Sequence, residues 1–414
     1  MNIHELVRFL DSAPTSNHAT DELEALLRQR GFTPIPRGER VTTPSFVRFG
    51  NALIAIRPGT QTPDSAGFRI VAAHSDSPAL VLKWQALSVD EGLLRVPTEV
   101  YGGPIVSSWL DRDLQVAGRI AVRKGDGVEV RNVATRRGVG VIPNAAIHIN
   151  RKVNEGYRYN RQTQLGVVFG AAQTAKVDPS EFFAAMFDIE AEQLIDAELM
   201  AIPAEPATLW GDQMISSARL DNLLGALSVV LGLAEAEATP HWQLAVVFDN
   251  EEIHSLTAFG AAGSLLRQIL SAQVDGDAAF AQAMERSVLV NNDATHAYHP
   301  AFADKQDSVY TPRAGAGPAI KRSAFQKYAN SLEAIAWLRS VADQASIPLQ
   351  VYRARSDVGS GGTIGPMIAA DLAIHSVEVG APVLAMHATR ETMSTSDAVE
   401  LTALMQAVLM AAGL

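Results

Sequence analysis

The chain contains no cysteine among its 414 residues. Disulfide frameworks, thiolate zinc sites and cysteine nucleophiles are therefore excluded. Any bound metal ion would have to be held by histidine, aspartate or glutamate. Basic residues are also the minority, 34 against 45 acidic ones, and the net charge of −11 disfavours general binding to nucleic acids or anionic membranes.

Long apolar runs and a targeting segment are missing as well. No stretch approaches the ~18 consecutive apolar residues of a transmembrane helix. Residues 1–10 carry an acid at Glu5 and lack the basic start and apolar core of a secretory signal. We therefore expect a cytoplasmic protein without a membrane partner. A content of 47% hydrophobic and 19% charged residues is typical of folded chains, and the length allows two or three domains.

The alternation of strand and helix patterns predicts an α/β fold. Strand-like runs lie at 68–73, 243–248, 287–290, 348–353, 374–379 and 382–386. Helical patterns lie at 3–11, 20–30, 220–231, 256–270, 326–343 and 398–412. Strands that alternate with helices form a mixed, mostly parallel sheet flanked by helices on both faces.

A segment with a different pattern of predicted secondary structure interrupts this α/β sequence. Short strand-like runs, separated by turns rich in Gly and Asp, lie at 93–101, 114–123 and 127–133. A polar stretch with helical character follows at 178–199. We therefore predict a catalytic α/β domain built from residues 1–84 and 213–414, with a β-rich domain inserted at 85–212.

Polar side chains follow four of the predicted strands at the point where each strand ends. In chain order they are His74 and Asp76, Glu251 and Glu252, Asp293, and His387. Ligands of open α/β sheets bind beyond the carboxyl ends of the strands, so these side chains are expected to lie close together. Asp221, at the polar start of a predicted helix, could join them.

This combination of imidazoles and carboxylates suits a divalent metal ion, and zinc is the usual occupant of such sites. The candidates outnumber the three protein ligands that one catalytic zinc needs, which favours two ions. Of the adjacent acids Glu251 and Glu252, one could bind metal while the other acts as a general base. The pattern alone predicts a metallohydrolase.

Several short motifs follow one another along nearly the whole chain. AHSDSP at 73–78, SARLDNL at 217–223, DNEE at 249–252 and MHATRE at 386–391 contain most of the candidate ligands. Further motifs lie at 9–19, 101–103, 109–114, 118–119, 142–148, 293–300, 317–321 and 365–366. In this order they resemble the M18 family of metallo-aminopeptidases, the aspartyl aminopeptidases. The resemblance implies a zinc-peptidase-like catalytic domain with an inserted β-rich dimerisation domain.

The resemblance implies a centre of two Zn²⁺ ions per subunit, for which Mn²⁺ or Co²⁺ could substitute. Asp221 would bridge the two ions. His74 and Asp293 would complete the ligands of one ion, and Glu252 and His387 would complete those of the other.

The resemblance also assigns roles outside the ligand set. Glu251 would be the general base for the attacking water, and Asp76 would orient a neighbouring imidazole. Lys321 would face an acidic substrate side chain. His148 would reach the active site of a neighbouring subunit, and His299 would line the substrate pocket.

The implied activity is the removal of an N-terminal Asp or Glu from peptides. Two alternatives stay open: a di-metal aminopeptidase of broader or non-acidic specificity, and a catalytically silent oligomeric relative. Ser360 lies in a Gly-rich run, but the Gly-x-Ser-x-Gly elbow that a serine hydrolase of the α/β class would need is not present there.

The resemblance further implies that the chain assembles, and the sequence departs from the family at position 254. Dimers would form through the inserted domain, and dimers would build a homododecamer. His254 stands two residues after Glu252, where the family usually has glycine. A side chain at this position could crowd the metal pocket or add a hydrogen bond to it.

Overall fold

The computed structural model describes residues 1–414, which form two compact units. The first unit comprises Met1–Asp76, Ala207–Met386 and Glu391–Leu414. The second comprises Ser77–Pro206 together with the short segment His387–Arg390. The second unit is therefore inserted into the chain of the first.

The helices and strands are numbered in chain order. The helices are α1 (Ile3–Ser12), α2 (Ser16–Gln29), α3 (Pro63–Ala66), α4 (Pro179–Met186), α5 (Leu220–Glu235), α6 (Leu265–Ser271), α7 (Gly276–Glu285), α8 (Leu332–Gln344), α9 (Gly365–Leu372) and α10 (Thr395–Met410). None of them has the length and apolarity that crossing a membrane requires.

The strands of the first half of the chain are β1 (Thr33–Pro34), β2 (Ser45–Phe49), β3 (Ala52–Arg57), β4 (Phe68–His74), β5 (Ala79–Leu82), β6 (Ser88–Asp90), β7 (Leu93–Val96), β8 (Thr98–Tyr101), β9 (Leu114–Lys124), β10 (Gly127–Ala134), β11 (Val167–Ala171) and β12 (Leu194–Pro203). Those of the second half are β13 (Thr208–Trp210), β14 (Met214–Ser217), β15 (Trp242–Phe248), β16 (Val288–Asn292), β17 (Thr295–His296), β18 (Ala319–Lys321), β19 (Gln350–Tyr352), β20 (His375–Gly380), β21 (Pro382–Leu384) and β22 (Glu391–Ser394).

A nine-stranded sheet organises the first unit, in the order β1-β2-β3-β15-β4-β16-β20-β18-β19. Five of its neighbouring pairs are parallel. The other three are antiparallel. A smaller sheet in the same unit has the order β13-β14-β22-β21-β17. The predicted mixed, mostly parallel sheet is confirmed.

The central strand β4 shows why its sequence is almost entirely apolar. Ile70 and Ala72 pack in one core cluster with residues of α6, α7 and α9. Val71 and Ala73 point to the opposite face and pack with α1, α2, α5, α8 and α10. Because alternate residues of a strand face opposite sides, a sheet covered on both faces needs apolar residues at every position.

The second unit is rich in β-structure, as predicted. It contains a five-stranded sheet in the order β10-β9-β12-β5-β8 and a three-stranded sheet in the order β11-β7-β6. Its own core cluster includes Trp84, Trp109 and Phe183 of α4, and the rings of Trp84 and Phe183 meet edge to face at 6.2 Å.

Two helical predictions were partly wrong. The helix expected over 256–270 begins only at Leu265, where α6 starts. The chain before α6 turns back instead, because the Asp249 amide donates a hydrogen bond to the Phe259 carbonyl oxygen at 3.1 Å. The turn is close-packed, since a side chain at Gly260 would collide with the Ser255 carbonyl oxygen. In the stretch 178–199, the short helix α4 is followed by β12, whose ladder with β9 overrides the polar local pattern.

Two further elements are shorter than predicted. The helix expected over 326–343 starts at Leu332, because the Ser331 hydroxyl caps it by accepting a hydrogen bond from the Ala334 amide at 3.1 Å. The strand expected over 93–101 is divided into β7 and β8 around Pro97, whose ring has no N–H for a ladder.

Candidate metal centre

The carboxyl ends of three neighbouring strands bring the first candidate ligands to one edge of the large sheet. His74 is the last residue of β4 and lies opposite Phe248, the last residue of β15. The chain continues from β15 directly into the 3-10 turn Glu251–Ile253. Asp293 follows β16, which pairs with β4 on its other side. The predicted convergence of these strand ends is therefore present in the fold.

The imidazole of His74 lies between carboxylates and is 1% exposed. Its Nε2 atom is 3.5 Å from Asp293 Oδ2 and 3.7 Å from Asp221 Oδ1. Its Nδ1 atom is 3.1 Å from the Asp76 carbonyl oxygen and 3.3 Å from Asp76 Oδ1. One ring nitrogen is thus oriented by Asp76 while the other faces the two remaining acids.

Asp76 also holds the turn that carries Glu251 and Glu252. Its Oδ1 accepts a hydrogen bond from the Glu251 amide at 3.0 Å, and its Oδ2 accepts one from the Glu252 amide at 3.1 Å. One buried carboxylate therefore positions an imidazole and two further acids at the same time.

Asp221 is placed by an irregular start to helix α5. Asp221 and Asn222 depart from helical backbone angles, and the peptide bond between them is cis. The Asp221 amide donates a hydrogen bond to Glu391 Oε2 at 3.0 Å. The Asn222 side chain donates one to the Asn292 carbonyl oxygen at 2.8 Å. These bonds anchor the start of the helix beside the strand ends.

Asp221 and Glu252 belong to the first unit, and His387 belongs to the short segment His387–Arg390 of the second. Nδ1 of His387 lies 3.0 Å from the Gly103 carbonyl oxygen. Since a carbonyl only accepts, Nδ1 carries the proton and Nε2 is the atom that can bind a metal.

The acids shift one another's ionisation. Burial raises the pKa of Glu251 to about 8, with Asp293, Asp221 and Asp76 adding to the effect against the opposing influence of His74. Burial would lower the pKa of His74, but hydrogen bonding to Asp293 and Asp76 outweighs it and raises that pKa well above its usual range. The site thus concentrates negative charge, which favours cations.

Lys321 lies directly against one candidate ligand. Its Nζ atom is 2.5 Å from Asp293 Oδ1 and 2.9 Å from the Ala294 carbonyl oxygen. The ammonium also lies 4.8 Å from the centre of the Tyr328 ring. Burial would raise the pKa of Asp293, but the charges of Lys321 and His74 lower it well below its usual range.

The remaining two candidate residues lie in irregular segments. His148 is exposed in the loop between β10 and β11 of the second unit. His299 precedes the 3-10 helix Pro300–Lys305, and its Nδ1 accepts a hydrogen bond from the Ala301 amide at 3.2 Å. Its ring also contacts Phe302 at 4.8 Å. In the single chain, the contacts of His299 are those of a helix cap.

Sequence reasoning missed two side chains that support the site, Glu391 and Asp249. Glu391, 1% exposed, accepts the hydrogen bond from the Asp221 amide. Asp249 accepts one from the Asn51 side chain at 2.7 Å, and burial together with the charge of Asp76 raises its pKa to about 6. The available signal was the same in each case. Asp249 lies in the motif DNEE and Glu391 in the motif MHATRE, whose other acidic and histidine residues had already been given roles.

An α/β sheet whose strand ends bring imidazole and carboxylate side chains together can hold the metal ion of a metal-dependent hydrolase. Residues 9–408 match the family model described as aminopeptidase I zinc metalloprotease (M18). The chain is 36% identical over 406 residues to a probable M18 family aminopeptidase 2 of Pseudomonas aeruginosa (strain UCBPP-PA14). The matched region covers 95% of this chain and 94% of that protein. The chain belongs to the M18 family and is a metallo-aminopeptidase.

Solved structures agree with this assignment. The fold is similar to that in a cryo-electron microscopy structure of the Ape4 and Nbr1 complex, with a TM-score of 0.93, 29% identity, and coverage of 98% of this chain and 85% of that chain. It is also similar to the mApe1 dodecamer of Saccharomyces cerevisiae, with a TM-score of 0.82, 21% identity, and coverage of 98% and 95%. The predicted family, fold class and enzyme class are confirmed.

Proposed function

We propose that the protein is a di-zinc aminopeptidase that removes an N-terminal Asp or Glu from peptides. The observation that carries the proposal is the arrangement around His74, whose Nε2 atom lies 3.5 Å from Asp293 and 3.7 Å from Asp221. An imidazole beside two buried carboxylates supplies the donor types that zinc binds in hydrolases. The match to a zinc metalloprotease family supports the same metal.

The resemblance to the M18 family implies the assignment of the ligands. Asp221 would bridge the two ions, and its Oδ1 atom lies 3.7 Å from Nε2 of His74. His74 and Asp293 would complete the ligands of one ion, and Glu252 and His387 would complete those of the other. Mn²⁺ or Co²⁺ can occupy sites of this kind as well.

Glu251 is the general base in this proposal. When bound, the ions supply Lewis acidity, which polarises the scissile carbonyl and makes water more acidic. Glu251 accepts the proton of the attacking water and passes it to the leaving amine. Its pKa of about 8 in the metal-free chain reflects burial among other acids, and nearby cations would lower it. Asp76 keeps Glu251 in place through the amide hydrogen bond at 3.0 Å.

Lys321 is the proposed recognition group for an acidic substrate side chain. Burial would lower its pKa, but the negative charge of Asp293 raises it, so the ammonium stays charged. In a chain of net charge −11, an anionic substrate side chain needs such a local cation. His299 would line the same substrate pocket.

The general-base role is tested by Glu251→Gln. The amide cannot accept a proton, so kcat should fall about 100-fold or more, while zinc content stays at two ions per subunit. Metal analysis and steady-state kinetics of the same preparation make the comparison. Near wild-type activity in the variant would show that Glu251 is not the base. An inactive wild-type enzyme with full zinc content would favour the catalytically silent alternative.

The substrate class is tested with a panel of Asp-, Glu-, Leu- and Lys-anilides. We expect the acidic substrates to have the highest kcat/KM. The Lys321→Met variant should have a lower kcat/KM for these substrates and a nearly unchanged kcat/KM for Leu-anilide. Zinc analysis of the variant separates lost recognition from lost metal, since Lys321 also contacts Asp293. A tenfold preference of the wild type for Leu would favour the alternative of broader or non-acidic specificity.

We further propose self-association through the second unit, with dimers that build a homododecamer. The similar fold of the S. cerevisiae mApe1 dodecamer supports this proposal. In such an assembly, His148 would reach the active site of a neighbouring subunit. Sedimentation velocity should detect particles of twelve 44.3 kDa chains. A monomer at micromolar concentration would contradict it.

A further inference from the structure

One carboxylate that is not among the candidate ligands lies inside the large sheet. Glu378, in the middle of β20, is fully buried. Its neighbours Val377 and Val379 pack in the core on one face of the sheet, and Glu378 points to the opposite face. A buried carboxylate costs free energy, and an apolar side chain of similar size often stabilises a core better. Its presence here therefore indicates a task other than core packing.

The carboxylate of Glu378 joins three segments of the chain. Its Oε1 atom accepts hydrogen bonds from the Thr363 hydroxyl at 2.9 Å and from the Ala329 amide at 3.3 Å. Its Oε2 atom accepts one from the Asn291 side chain at 2.7 Å. Gly365, the first residue of α9, permits this packing, since a side chain there would collide with Oε1. Loss of the carboxylate would leave buried donors without an acceptor, which is costly.

One of these segments lies against Lys321. The amide that Glu378 holds belongs to Ala329, which directly follows Tyr328. The centre of the Tyr328 ring is 4.8 Å from the Lys321 ammonium. The side chain of Asn330 accepts a hydrogen bond from the Glu378 amide at 3.1 Å and donates one to the Lys321 carbonyl oxygen at 2.7 Å. This segment is therefore fixed between β20 and the lysine.

We propose that Glu378 is a positioning residue for substrate recognition, which sets the places of the Tyr328 ring and of Lys321 in the substrate pocket. Glu378 would not touch the substrate, because it is fully buried and both of its oxygens already accept hydrogen bonds. A small displacement of a recognition group has a large kinetic effect, so the residue should matter most for acidic substrates. The inference rests on the proposed role of Lys321.

The Glu378→Leu variant removes the acceptor and keeps a side chain of similar size. KM for Asp- and Glu-anilide should rise at least about tenfold, while kcat/KM for Leu-anilide should change by less than about threefold. Glu378→Gln is the matched control. Its amide oxygen replaces Oε1, and its nitrogen can donate to Asn291 Oδ1, which has no hydrogen-bond partner in the chain. This variant should keep most of the preference for acidic substrates.

A second pair of variants tests the same contact with a smaller change. Thr363→Val keeps the shape of threonine but lacks the hydroxyl that donates to Glu378, so the carboxylate can turn away from the Ala329 amide. The ratio of kcat/KM for Asp-anilide to that for Leu-anilide should fall by about threefold or more. Thr363→Ser keeps the hydroxyl and should change this ratio little. Zinc content should equal that of the wild type in all four variants, since neither residue is a proposed ligand.

The outcomes separate this inference from the proposed function. If the wild type does not prefer acidic substrates, or if Lys321→Met keeps that preference, the role of Lys321 and the inference are both wrong. If Lys321→Met loses the preference while Glu378→Leu and Thr363→Val keep it, only the inference is wrong. The same follows if Glu378→Leu loses zinc or lowers kcat/KM equally for all four anilides, since a purely structural role predicts a uniform loss. Should Glu378→Leu fail to fold, the two Thr363 variants decide.

Discussion

Charge balance among buried residues explains how the centre can exist before a metal binds. Asp293 is 6% exposed. Its negative charge is compensated by the ammonium of Lys321 and by the imidazole of His74, whose raised pKa favours the protonated form. Without these partners a buried carboxylate would be strongly disfavoured. If His74 binds zinc as proposed, its imidazole must be neutral, so zinc binding should release a proton to solvent.

The residue His254 should cost the protein stability. Its φ of +76° is left-handed, a conformation that glycine adopts without strain. We predict that His254→Gly raises the free energy of unfolding of the metal-free chain by about 0.5–1 kcal/mol. Urea unfolding gives the value. His254→Ala keeps the strain and serves as the control; an equal gain there would contradict the backbone explanation.

The carboxyl of Glu378 should make stability depend on pH. Burial raises its pKa from 4.5 to about 7, against the opposing effects of Lys321 and the Asn291 hydrogen bond. Between pH 4.5 and 7, the folded chain therefore keeps a proton that the unfolded chain has lost, and stability falls as the pH rises. The Glu378→Gln variant lacks this titration.

The measurement is urea unfolding of both proteins across this range. The unfolding free energy of the wild type should fall by about 3 kcal/mol relative to Glu378→Gln between pH 4.5 and 7. Above pH 7 the difference should stay constant. Parallel pH profiles of the two proteins would refute the assignment.

At the scale of elements, the 3-10 turn Glu251–Ile253 depends on one side chain two residues beyond the end of β4. Asp76 accepts both of its first amide hydrogen bonds. In Asp76→Asn only one side-chain oxygen remains, so one amide loses its acceptor and the orientation of His74 changes. We predict a loss of about 10–100-fold in activity or zinc affinity.

Calorimetric zinc titration together with steady-state kinetics would measure these effects. Asp76→Glu keeps both oxygens and should retain more activity than the asparagine variant. Unchanged zinc affinity and unchanged kcat in Asp76→Asn would show that the turn does not need this residue.

At the scale of the whole molecule, metal ions should stabilise the fold as well as activate it. Removal of metal by a chelator should abolish activity and lower the unfolding midpoint. Zinc at 100 times its dissociation constant should restore about 2.7 kcal/mol per site, because it binds the folded state only.

Thermal unfolding with and without zinc gives the comparison. Glu251→Gln should keep the zinc-dependent gain, since Glu251 is not a proposed ligand, whereas Asp293→Asn should lose most of it. A midpoint that does not respond to zinc in the wild type would contradict a metal site in this cluster.

Local patterns predicted those elements whose sequence and tertiary setting agree. The strands β4 and β15 are apolar at nearly every position because both faces of the sheet are covered. Where tertiary contacts oppose the local pattern, prediction was less accurate. β12 is a strand because β9 pairs with it, and the segment before α6 is a turn that the Asp249 amide closes by a hydrogen bond to the Phe259 carbonyl oxygen.

The sequence by itself determined the chemistry available to this protein. Without cysteine, only imidazoles and carboxylates could hold a metal, and their motifs identify the M18 family. The tertiary structure alone decided which atoms meet. Lys321 pairs with Asp293, and Asp76 accepts hydrogen bonds from the turn beyond β15. Both contacts join residues that are far apart in the chain. Such contacts depend on sheet register and side-chain packing, which no local pattern encodes.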